Sequence, residues 1–320
     1  MAKLQTPRFV YTGGKLRSWE EAVLHVGCEA VTRGLSVFEG IRGYWQPDGS
    51  FAIVMLRQHY DRLCRSARIL HIPFKESYDE YKGVIDQLIG ALIEPDLAMW
   101  SRTTLYVTEG HWGEDTVSDL VVTAYNMYSD DAPAPINLGV STWRRSADVS
   151  LPARVKSGTN YQVGRLARIE GRARGCQDMV LLNEAGRVAE GTGSCLVMVR
   201  DGVIYTPPAS EGALESITVD IVEALAESMG YDFVRRPIDR TELLIADEIA
   251  LCGTLADITI AKTIEGLQLK QPATILTQVQ SAYIKACKGT APHPFVELTP
   301  LPSCSLSKAE AARKKAGAKS

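Results

Sequence analysis

The sequence predicts a mixed α/β protein with two domains, and three observations support that fold class. The chain has 320 residues, which is more than one small hydrophobic core organises. Segments with the alternating apolar pattern of strands recur together with segments of helical period. A polar, proline-containing stretch at residues 129–136 suits neither structure and predicts a linker. We therefore expect a small α/β domain over residues 1–128 and a larger domain over residues 137–300.

The first domain is expected to be rich in sheet. The Asp48-Gly49 turn separates two apolar runs and predicts a β-hairpin. The run at residues 119–125 is almost entirely apolar, so we expect a strand that is buried on both faces. The predicted strands are residues 9–14, 22–26, 41–45, 51–56, 101–108 and 119–125. Apolar side chains at helical spacing predict helices over residues 58–70 and 78–93.

The second domain is predicted to combine strands and helices. Ser216 precedes a helical pattern and is a suitable N-cap, and Gly175 follows the end of another. The predicted strands are residues 136–143, three segments within 178–205, and 246–252. The predicted helices are residues 160–174, 215–230 and 274–288. Residues 301–320 are rich in alanine and lysine towards their end and are expected to form a disordered tail.

Composition and charge argue against two classes of partner. The formal net charge is −3, so no overall basic field exists to hold nucleic acid or an anionic membrane surface. The N-terminus lacks the apolar core of a signal peptide, and no apolar stretch has the length of a transmembrane helix. The seven cysteines include no Cys-x-x-Cys pair, which favours reduced thiols over a disulfide framework. We expect a soluble, cytoplasmic protein that binds neither nucleic acid nor membranes.

Several catalytic motifs are missing from the sequence. The five histidines show no metal-ligand spacing, so no metal site is predicted. There is no Gly-x-Ser-x-Gly elbow of a serine hydrolase. Neither a Gly-x-x-x-x-Gly-Lys-Ser/Thr loop nor a Gly-x-Gly-x-x-Gly turn after a strand occurs, so nucleotide-binding folds lack support.

Lys156 and Glu190 are the catalytic candidates that the residues themselves suggest. Lys156 lies in Val-Lys-Ser-Gly-Thr-Asn-Tyr (155–161), between Pro152 and a predicted helix. Glu190 lies in Val-Ala-Glu-Gly-Thr-Gly-Ser (188–194), a glycine-rich bend after an apolar strand. A lysine amine forms a Schiff base with a carbonyl, and a carboxylate keeps a pyridine nitrogen protonated. Taken alone, each is more often a solvated surface residue.

Three further features are typical of an anion site. Arg62, on a predicted helix, would offer a bidentate guanidinium to a phosphate, although such a residue is usually at the surface. Residues 216–218 begin a helix, where free backbone N–H groups collect, and residues 253–254 follow a strand. Each signal is weak alone. Their joint occurrence with Lys156 and Glu190 strengthens them as signals of an anion site.

Five sequence blocks occur in an order that is specific to one group of enzymes. The blocks are Ser-Val-Phe-Glu-Gly-Ile-Arg (36–42), Val-Lys-Ser-Gly-Thr-Asn-Tyr (155–161), Val-Ala-Glu-Gly-Thr-Gly-Ser (188–194), Tyr-Thr-Pro-Pro (205–208) and Cys-Gly-Thr-Leu-Ala-Asp-Ile-Thr (252–259). Together they resemble the fold-type IV pyridoxal-phosphate enzymes, and within these the match is closest to the branched-chain amino acid aminotransferases. The resemblance extends from about residue 18 to about residue 267.

The resemblance implies a role for each motif residue. Lys156 would form the internal aldimine with pyridoxal 5′-phosphate and move the proton between the substrate Cα and the cofactor C4′. Glu190 would pair with the pyridine nitrogen, and Tyr161 would hydrogen-bond the phenolic oxygen of the ring. The residues implied to hold the phosphate are Arg62, Ile217, Thr218 and Thr254. The residues implied to border the substrate pocket are Phe38, Arg102, Thr254, Leu255 and Ala256.

The resemblance also implies a reaction and an architecture. An L-amino acid would give its amino group to the cofactor in a ping-pong reaction, and a 2-oxo acid, commonly 2-oxoglutarate, would take it up. The fold would be a small α/β domain and a larger domain with a β-barrel-like sheet, with the cofactor between them. Members of the family are usually homodimers in which a loop of the partner subunit completes the site.

Other functions on the same scaffold stay open at this point. One is transamination of D-amino acids or (R)-amines. Another is a lyase that resembles aminodeoxychorismate lyase and expels pyruvate. A non-catalytic pyridoxal-phosphate-binding protein is the candidate from a different class. It is disfavoured, because a decayed enzyme would be expected to have lost at least one of Lys156, Tyr161, Glu190 and Arg62.

Arg33 is the departure from the family pattern that bears on substrate choice. The branched-chain enzymes usually carry a tyrosine there, which borders the pocket, whereas Arg33 is a permanent cation. It either points to solvent or pairs with a nearby carboxylate, or it favours substrates with a distal carboxylate or hydroxyl. Two further departures are Ser194-Cys195 in place of Glu-Asn, and Glu215-Ser216 in place of Pro-Gly. The second should leave the backbone donors of the phosphate turn in place while altering the turn.

Overall fold

The chain forms two compact units. The computed structural model describes residues 5–127, 132–307 and 309–310. The first unit comprises Met1–Asp131 and Lys285–Ser320, and the second comprises Ala132–Ile284. The division after Asp131 falls within the predicted linker at residues 129–136, of which residues 129–131 lie outside the described part of the chain.

Strands and helices alternate in both units. In the described chain the strands are β1 (Phe9–Thr12), β2 (Lys15–Ser18), β3 (Ser36–Trp45), β4 (Ser50–Val54), β5 (Ala98–His111), β6 (Glu114–Met127), β7 (Ile136–Arg144), β8 (Asp178–Leu182), β9 (Val188–Gly191), β10 (Cys195–Arg200), β11 (Val203–Thr206), β12 (Phe233–Arg235), β13 (Glu248–Gly253), β14 (Asp257–Ile264), β15 (Leu267–Gln268) and β16 (Leu298–Ser305). The helices are α1 (Glu29–Thr32), α2 (Leu56–Ile69), α3 (Tyr78–Leu92), α4 (Gln162–Ala173), α5 (Ile217–Ser228) and α6 (Thr274–Cys287).

The first unit is built on an antiparallel sheet. Its strand order is β16-β4-β3-β5-β6-β1-β2, and α2 and α3 pack against it. Helix α3 shows why the sequence folds this way, because Tyr81, Ile85 and Leu88 recur at helical spacing and are each fully buried. Its N-terminus carries a capping box, in which the Ser77 and Glu80 side chains each bond the other's backbone N–H.

The C-terminal part of the chain differs from the sequence prediction. Residues 285–300 belong to the first unit, although they were expected in the second domain. Residues 301–305 were expected in a disordered tail but form the end of β16, which pairs antiparallel with β4. Leu301 and Cys304 are buried there, so this segment covers the open edge of β4. Residues 308 and 311–320 of the expected tail lie outside the described chain.

The second unit contains a mixed sheet. Its order is β12-β11-β10-β13-β14-β7-β8-β9, with β15 added beside β14. Strands β7 and β8 pair parallel, as do β7 and β14, whereas β10, β13 and β14 are antiparallel neighbours. Strand β10 is buried along almost its whole length, and its Leu196 and Met198 lie in the apolar core with Leu251 of β13. Helix α4 packs on β7 and β8.

Helix α6 begins at a carboxylate from a distant strand. Glu248 of β13 is buried, and its oxygens accept hydrogen bonds from the backbone N–H groups of Thr274, Ile275 and Leu276 at 2.6–3.1 Å. These are N–H groups that an α-helix leaves without an internal partner. The helix covers almost all of the predicted range of residues 274–288.

Two predicted strands of the first unit differ from the structure. Residues 22–26 form no strand, and Val23 and Val26 are 79% and 76% exposed. These apolar side chains are therefore not buried by the sheet of the first unit. Strand β6 covers the predicted run at residues 119–125, but its residues alternate between buried and partly exposed instead of being buried on both faces.

Candidate active site

The loop that carries Lys156 is fixed by an asparagine that follows it. The Asn160 side-chain amide donates to the carbonyl oxygens of Pro152 at 3.0 Å and Val155 at 2.8 Å. Asn160 is buried and belongs to a short 3-10 turn, Gly158–Tyr161, that leads directly into α4. The loop is thereby folded back on itself, and Lys156 is half-buried at a set distance from the helix.

Lys156 and Tyr161, which share one sequence motif, are in contact. The Lys156 Nζ donates a hydrogen bond to the Tyr161 Oη at 2.9 Å. The same nitrogen lies 5.3 Å from the centre of the tyrosine ring. The five-residue separation along the chain is closed by the 3-10 turn. An amine and a phenol thus meet in one place, and the resemblance implies a cofactor-binding role for each of them.

Glu190 is a buried carboxylate whose two oxygens have different partners. It lies in β9, and its Oε1 is 3.2 Å from the Nε of Arg145. Its Oε2 accepts a hydrogen bond from the backbone N–H of Leu214 at 3.0 Å and a longer one from the Cys195 thiol at 3.6 Å. Burial and the neighbouring Glu190 charge raise the pKa of Cys195 above its usual range, so Cys195 stays a thiol donor.

Arg145 is a central residue of this group that the sequence did not reveal. It is 6% exposed, and besides Glu190 it donates to the backbone oxygens of Asn160 at 2.8 Å and Gly212 at 3.2 Å. Arg145 therefore connects the Glu190 carboxylate, the lysine loop and the turn before α5. In the sequence it follows the exposed Arg144 with nothing to tell the two apart. The only signal in the sequence was that Arg144 and Arg145 both follow the apolar run of a predicted strand.

The glycine-rich bend after Glu190 packs tightly on α4. A Cβ atom added to Gly164 of α4 would lie 2.1 Å from the backbone oxygen of Thr192. The Thr192 hydroxyl bonds to Asp178, and the Arg168 side chain bonds to both Thr192 and Asp178. The bend is thus anchored to the helix that follows the lysine loop, and only glycine fits at position 164.

The predicted phosphate residues of the second unit lie at two turns. Ser216 is the N-cap of α5 and accepts from the Val219 N–H at 3.3 Å, as predicted. Ile217 and Thr218 form the first turn of that helix and are buried, and a helix start offers backbone N–H groups to an anion. Thr254 lies in the tight turn between β13 and β14.

The turn at Thr254 also contains two predicted pocket residues. Leu255 and Ala256 are half-buried there, and the Ala256 carbonyl accepts from the Thr259 hydroxyl at 2.7 Å. The preceding Gly253 lies beside the bend after Glu190, since a Cβ atom on it would be 3.5 Å from Ser194 Cβ. The turn is therefore next to the glycine-rich bend.

Arg62 of the first unit has a buried carboxylate partner. Its Nε and Nη2 donate to Glu39 at 2.7 and 2.8 Å, and the His59 ring nitrogen Nδ1 is 2.7 Å from the same carboxylate. Arg62 was predicted to hold the phosphate, and that role stays a prediction. Glu39 and His59 were given no role from the sequence.

The other predicted pocket residues of the first unit lie on β3, β5 and α1. The Arg102 guanidinium lies 3.8 Å from the centre of the Phe38 ring, a cation–π contact between neighbouring strands. Arg33 ends α1 and pairs with the buried Glu29 at 3.2 Å. Its guanidinium also lies 4.8 Å from the centre of the exposed Trp112 ring. Pairing with a nearby carboxylate was one of the two interpretations offered for Arg33.

The described chain contains neither a metal-binding cluster nor a membrane-spanning helix. No group of three or more His, Cys, Asp or Glu side chains in it is arranged to hold a metal ion. Among the helices described, none has the length and apolar character needed to cross a membrane.

Comparison with known proteins identifies the family. The family model described as Amino-transferase class IV matches residues 36–264. The branched-chain-amino-acid aminotransferase of Salmonella typhimurium is 30% identical over 305 residues, which are 92% of this chain and 98% of that protein. The branched-chain aminotransferase of Thermoproteus uzoniensis, solved with norvaline, has a TM-score of 0.86 at 29% identity and covers 92% of this chain and 100% of its own.

A second solved structure comes from Thermobaculum terrenum. Its branched-chain amino acid aminotransferase, in the PLP-form, has a TM-score of 0.83 at 30% identity and covers 91% of this chain and 98% of its own. The fold-type IV architecture that the sequence blocks imply is therefore confirmed. The chain belongs to the class IV aminotransferase family.

Proposed function

We propose that Lys156 is the catalytic lysine of this enzyme, and that its amino-acid substrates are L-amino acids of the branched-chain type or close to it. The enzyme is an aminotransferase and its cofactor is pyridoxal 5′-phosphate. The lyase, (R)-amine and D-amino acid alternatives are not favoured, because relatives that match over most of the chain are branched-chain aminotransferases. The observation that carries the proposal is the contact of Lys156 with Tyr161.

The side chains of the second unit fit this cofactor. An amine and a phenol meet at 2.9 Å, and a buried carboxylate is held in place by an arginine and a backbone N–H. A lysine amine can bind the carbonyl carbon of pyridoxal phosphate, and a phenol can hydrogen-bond its phenolic oxygen. A carboxylate can accept a hydrogen bond from its protonated ring nitrogen. We assign Lys156, Tyr161 and Glu190 to them in that order. The residues proposed to hold the phosphate are Arg62, Ile217, Thr218 and Thr254.

The residues of the chain divide the chemistry between them. Bound pyridoxal phosphate supplies an electron sink for the charge that develops at the substrate Cα. The Lys156 Nζ takes the proton from Cα and delivers it again, acting as a general base and then as a general acid. The Tyr161 Oη accepts a hydrogen bond from this amine and orients it. Glu190 would accept a hydrogen bond from the ring N–H of the bound cofactor, and Arg145 holds the Glu190 carboxylate in position.

The substrate proposal rests on the names of the relatives and on five side chains. The matched relatives are branched-chain aminotransferases. The residues proposed to border the substrate pocket are Arg33, Phe38, Arg102, Leu255 and Ala256. Of these, Phe38, Leu255 and Ala256 are apolar and suit an aliphatic side chain, whereas Arg33 and Arg102 suit carboxylates. We propose 2-oxoglutarate as the amino acceptor.

A half-reaction with single amino donors tests the function. Purified wild-type enzyme should lose the visible absorbance of its lysine-bound cofactor when leucine, isoleucine or valine is added, and 2-oxoglutarate should restore it. Lys156→Ala should lack this absorbance, and its overall rate of amino transfer should fall by at least about 10³-fold, the scale of a lost general base. Lys262→Ala, which changes an exposed lysine of the same unit, is the matched control and should behave as wild type. A fully active Lys156→Ala enzyme would contradict the assignment.

We also propose that the enzyme is a cytoplasmic homodimer. The cytoplasmic location is supported by the seven cysteines, which form no disulfide in the described chain. The dimer is supported by the apolar side chains that the first unit leaves exposed. They include Val23 (79%), Leu24 (47%), Val26 (76%), Val31 (53%) and Trp112 (77%). Val23, Leu24 and Val26 lie within four residues of one another, and clustered exposed apolar side chains are typical of a protein interface.

A further inference from the structure

Glu39 is a buried carboxylate to which the proposed function gives no role. It lies in the middle of β3, and its side chain is 0% exposed. The residue opposite it in β5 is Thr103, whose hydroxyl is 2.9 Å from the Tyr81 hydroxyl. A buried carboxylate is costly unless it is paired and hydrogen-bonded, so its partners indicate why the fold retains it.

The partners of Glu39 are Arg62 and His59 of α2. The Glu39 Oε1 accepts from Arg62 Nε at 2.7 Å, and Oε2 accepts from Arg62 Nη2 at 2.8 Å. The His59 Nδ1 is 2.7 Å from Oε2, and the three-residue spacing puts His59 and Arg62 on one face of the helix. Two parallel N–H···O bonds fix the plane of a guanidinium as well as its position.

The Glu39 carboxylate stays ionised in this setting. Burial alone would raise its pKa. The Arg62 charge, with the hydrogen bonds from Arg62 and His59, outweighs the burial and holds the pKa well below its usual range. The pair is therefore a permanent feature of the first unit at ordinary pH.

We propose that Glu39 is a positioning residue for the cofactor phosphate, because it fixes the orientation of the Arg62 guanidinium before the phosphate binds. The inference rests on the proposed phosphate role of Arg62. A long side chain loses rotamer freedom when it binds an anion, and one that is already held loses less. The negative charge of Glu39, in contrast, opposes anion binding. Positioning of Arg62 strengthens phosphate binding, whereas the Glu39 charge weakens it. Removal of the charge therefore shows which of the two effects is larger.

The test compares two forms of the cofactor on the apoenzyme. Pyridoxal 5′-phosphate and pyridoxal differ only in the phosphate, and their dissociation constants are measured for wild type and Glu39→Gln. We expect pyridoxal phosphate to bind about three- to tenfold more weakly to the variant, the cost of ordering one long side chain. Pyridoxal should bind equally well to both. Tyr81→Phe, which removes a neighbouring buried hydrogen bond and leaves Arg62 paired, should change neither constant.

Other outcomes would overturn the positioning role. They are equal weakening of both ligands, unchanged binding, or tighter binding of pyridoxal phosphate by Glu39→Gln. If that variant does not fold, Glu39→Asp replaces it, since it keeps the charge but withdraws the carboxylate from Arg62. Glu39→Asp should then also bind pyridoxal phosphate more weakly than wild type while binding pyridoxal equally well. Arg62→Lys tests the underlying assignment: wild-type affinity for pyridoxal phosphate in this variant would refute the phosphate role of Arg62 itself. A selective loss in Arg62→Lys without one in Glu39→Gln would refute only the positioning role.

Discussion

At the scale of single residues, Arg145 is the link between the candidate groups of the second unit. Its buried guanidinium contacts the Glu190 carboxylate and the backbone oxygens of Asn160 and Gly212. The Lys156 loop and the Glu190 carboxylate are distant in sequence, and their common neighbour is a residue outside both motifs. The motifs therefore contain the proposed reacting groups, whereas a residue outside the motifs holds the lysine loop and the carboxylate together.

Replacement of Arg145 should be costly. Arg145→Ala leaves the Glu190 carboxylate buried without its cation, and we expect the free energy of unfolding to fall by about 3–5 kcal/mol. Urea denaturation of the apoenzyme measures this change. The adjacent, exposed Arg144→Ala is the matched control and should stay within about 0.5 kcal/mol of wild type. Equal stability of the two variants would show that the Arg145–Glu190 contact contributes little.

Arg33 is the residue with the greatest expected effect on substrate preference. Its pairing with Glu29 and its contact with Trp112 account for its side chain without a substrate. We nevertheless expect Arg33→Tyr to raise the kcat/KM ratio of leucine over glutamate several-fold, since a cation near the pocket favours a distal carboxylate. Half-reaction rates with the two donors measure the ratio. An unchanged ratio would restrict Arg33 to its ion pair.

A motif places residues together when they are close in the chain. Lys156 and Tyr161 share one motif and are in contact. Arg145 and Glu39 could not be found in this way. Arg145 stands out only through its burial against residues from other segments. Glu39, although inside a recognised block, pairs with a residue 23 positions away. A single sequence does not contain such distances.

At the scale of elements, the contact of α4 with the bend after Glu190 sets the geometry of the lysine loop. The helix begins just after Tyr161, and its Gly164 allows the Thr192 backbone to approach closely. Any side chain at position 164 would push the bend away from the helix. The close approach thus connects the loop of the lysine with the strand of the carboxylate.

Adding a methyl group at Gly164 tests the contact between α4 and the bend after Glu190. Gly164→Ala should lower the free energy of unfolding by at least roughly 1–3 kcal/mol, because the clash is with backbone and cannot be relieved by a rotamer change. Gly83→Ala is the matched control, since that helical glycine of α3 has nothing within 4 Å of an added Cβ and should gain about 0.5–1 kcal/mol. Thermal unfolding of both variants measures the difference. A stable Gly164→Ala protein would mean that the bend is mobile.

Elements with a strong period or a clear cap were predicted closely. Helices α3 and α5 agree with the predicted ranges to within about two residues, and the N-cap of α5 is Ser216 as expected. The strand β16 was missed because Pro300 and Pro302 interrupt it, and a strand at a sheet edge tolerates proline. The strand predicted at residues 22–26 was wrong, because the apolar residues of this segment are exposed and do not belong to a sheet.

At the scale of the whole molecule, the fold class and the family follow from the order of the motifs, whereas the division into units does not. The C-terminal segment returns to the first unit and pairs with β4. That return depends on a long-range strand pairing, which composition and local period do not encode. The oligomeric state is likewise a property of exposed surface and stays a proposal.

The proposed dimer can be tested through its exposed valines. Val26→Asp in the first unit should shift the enzyme from dimer to monomer, because an unpaired carboxylate in an apolar interface is strongly unfavourable. Light scattering after gel filtration measures the mass. Val149→Asp is the matched control, since Val149 is 96% exposed but lies in the second unit, and it should leave the mass unchanged. A monomeric wild-type protein would refute the proposal.

The most direct test of the account locates the cofactor on the chain. Holoenzyme is treated with borohydride, which makes the lysine–cofactor bond permanent, and is then digested and analysed by mass spectrometry. We expect the phosphopyridoxyl group on Lys156 alone. Its attachment to any other lysine, or its absence from an enzyme that still transaminates, would contradict the assignment of Lys156 as the catalytic residue.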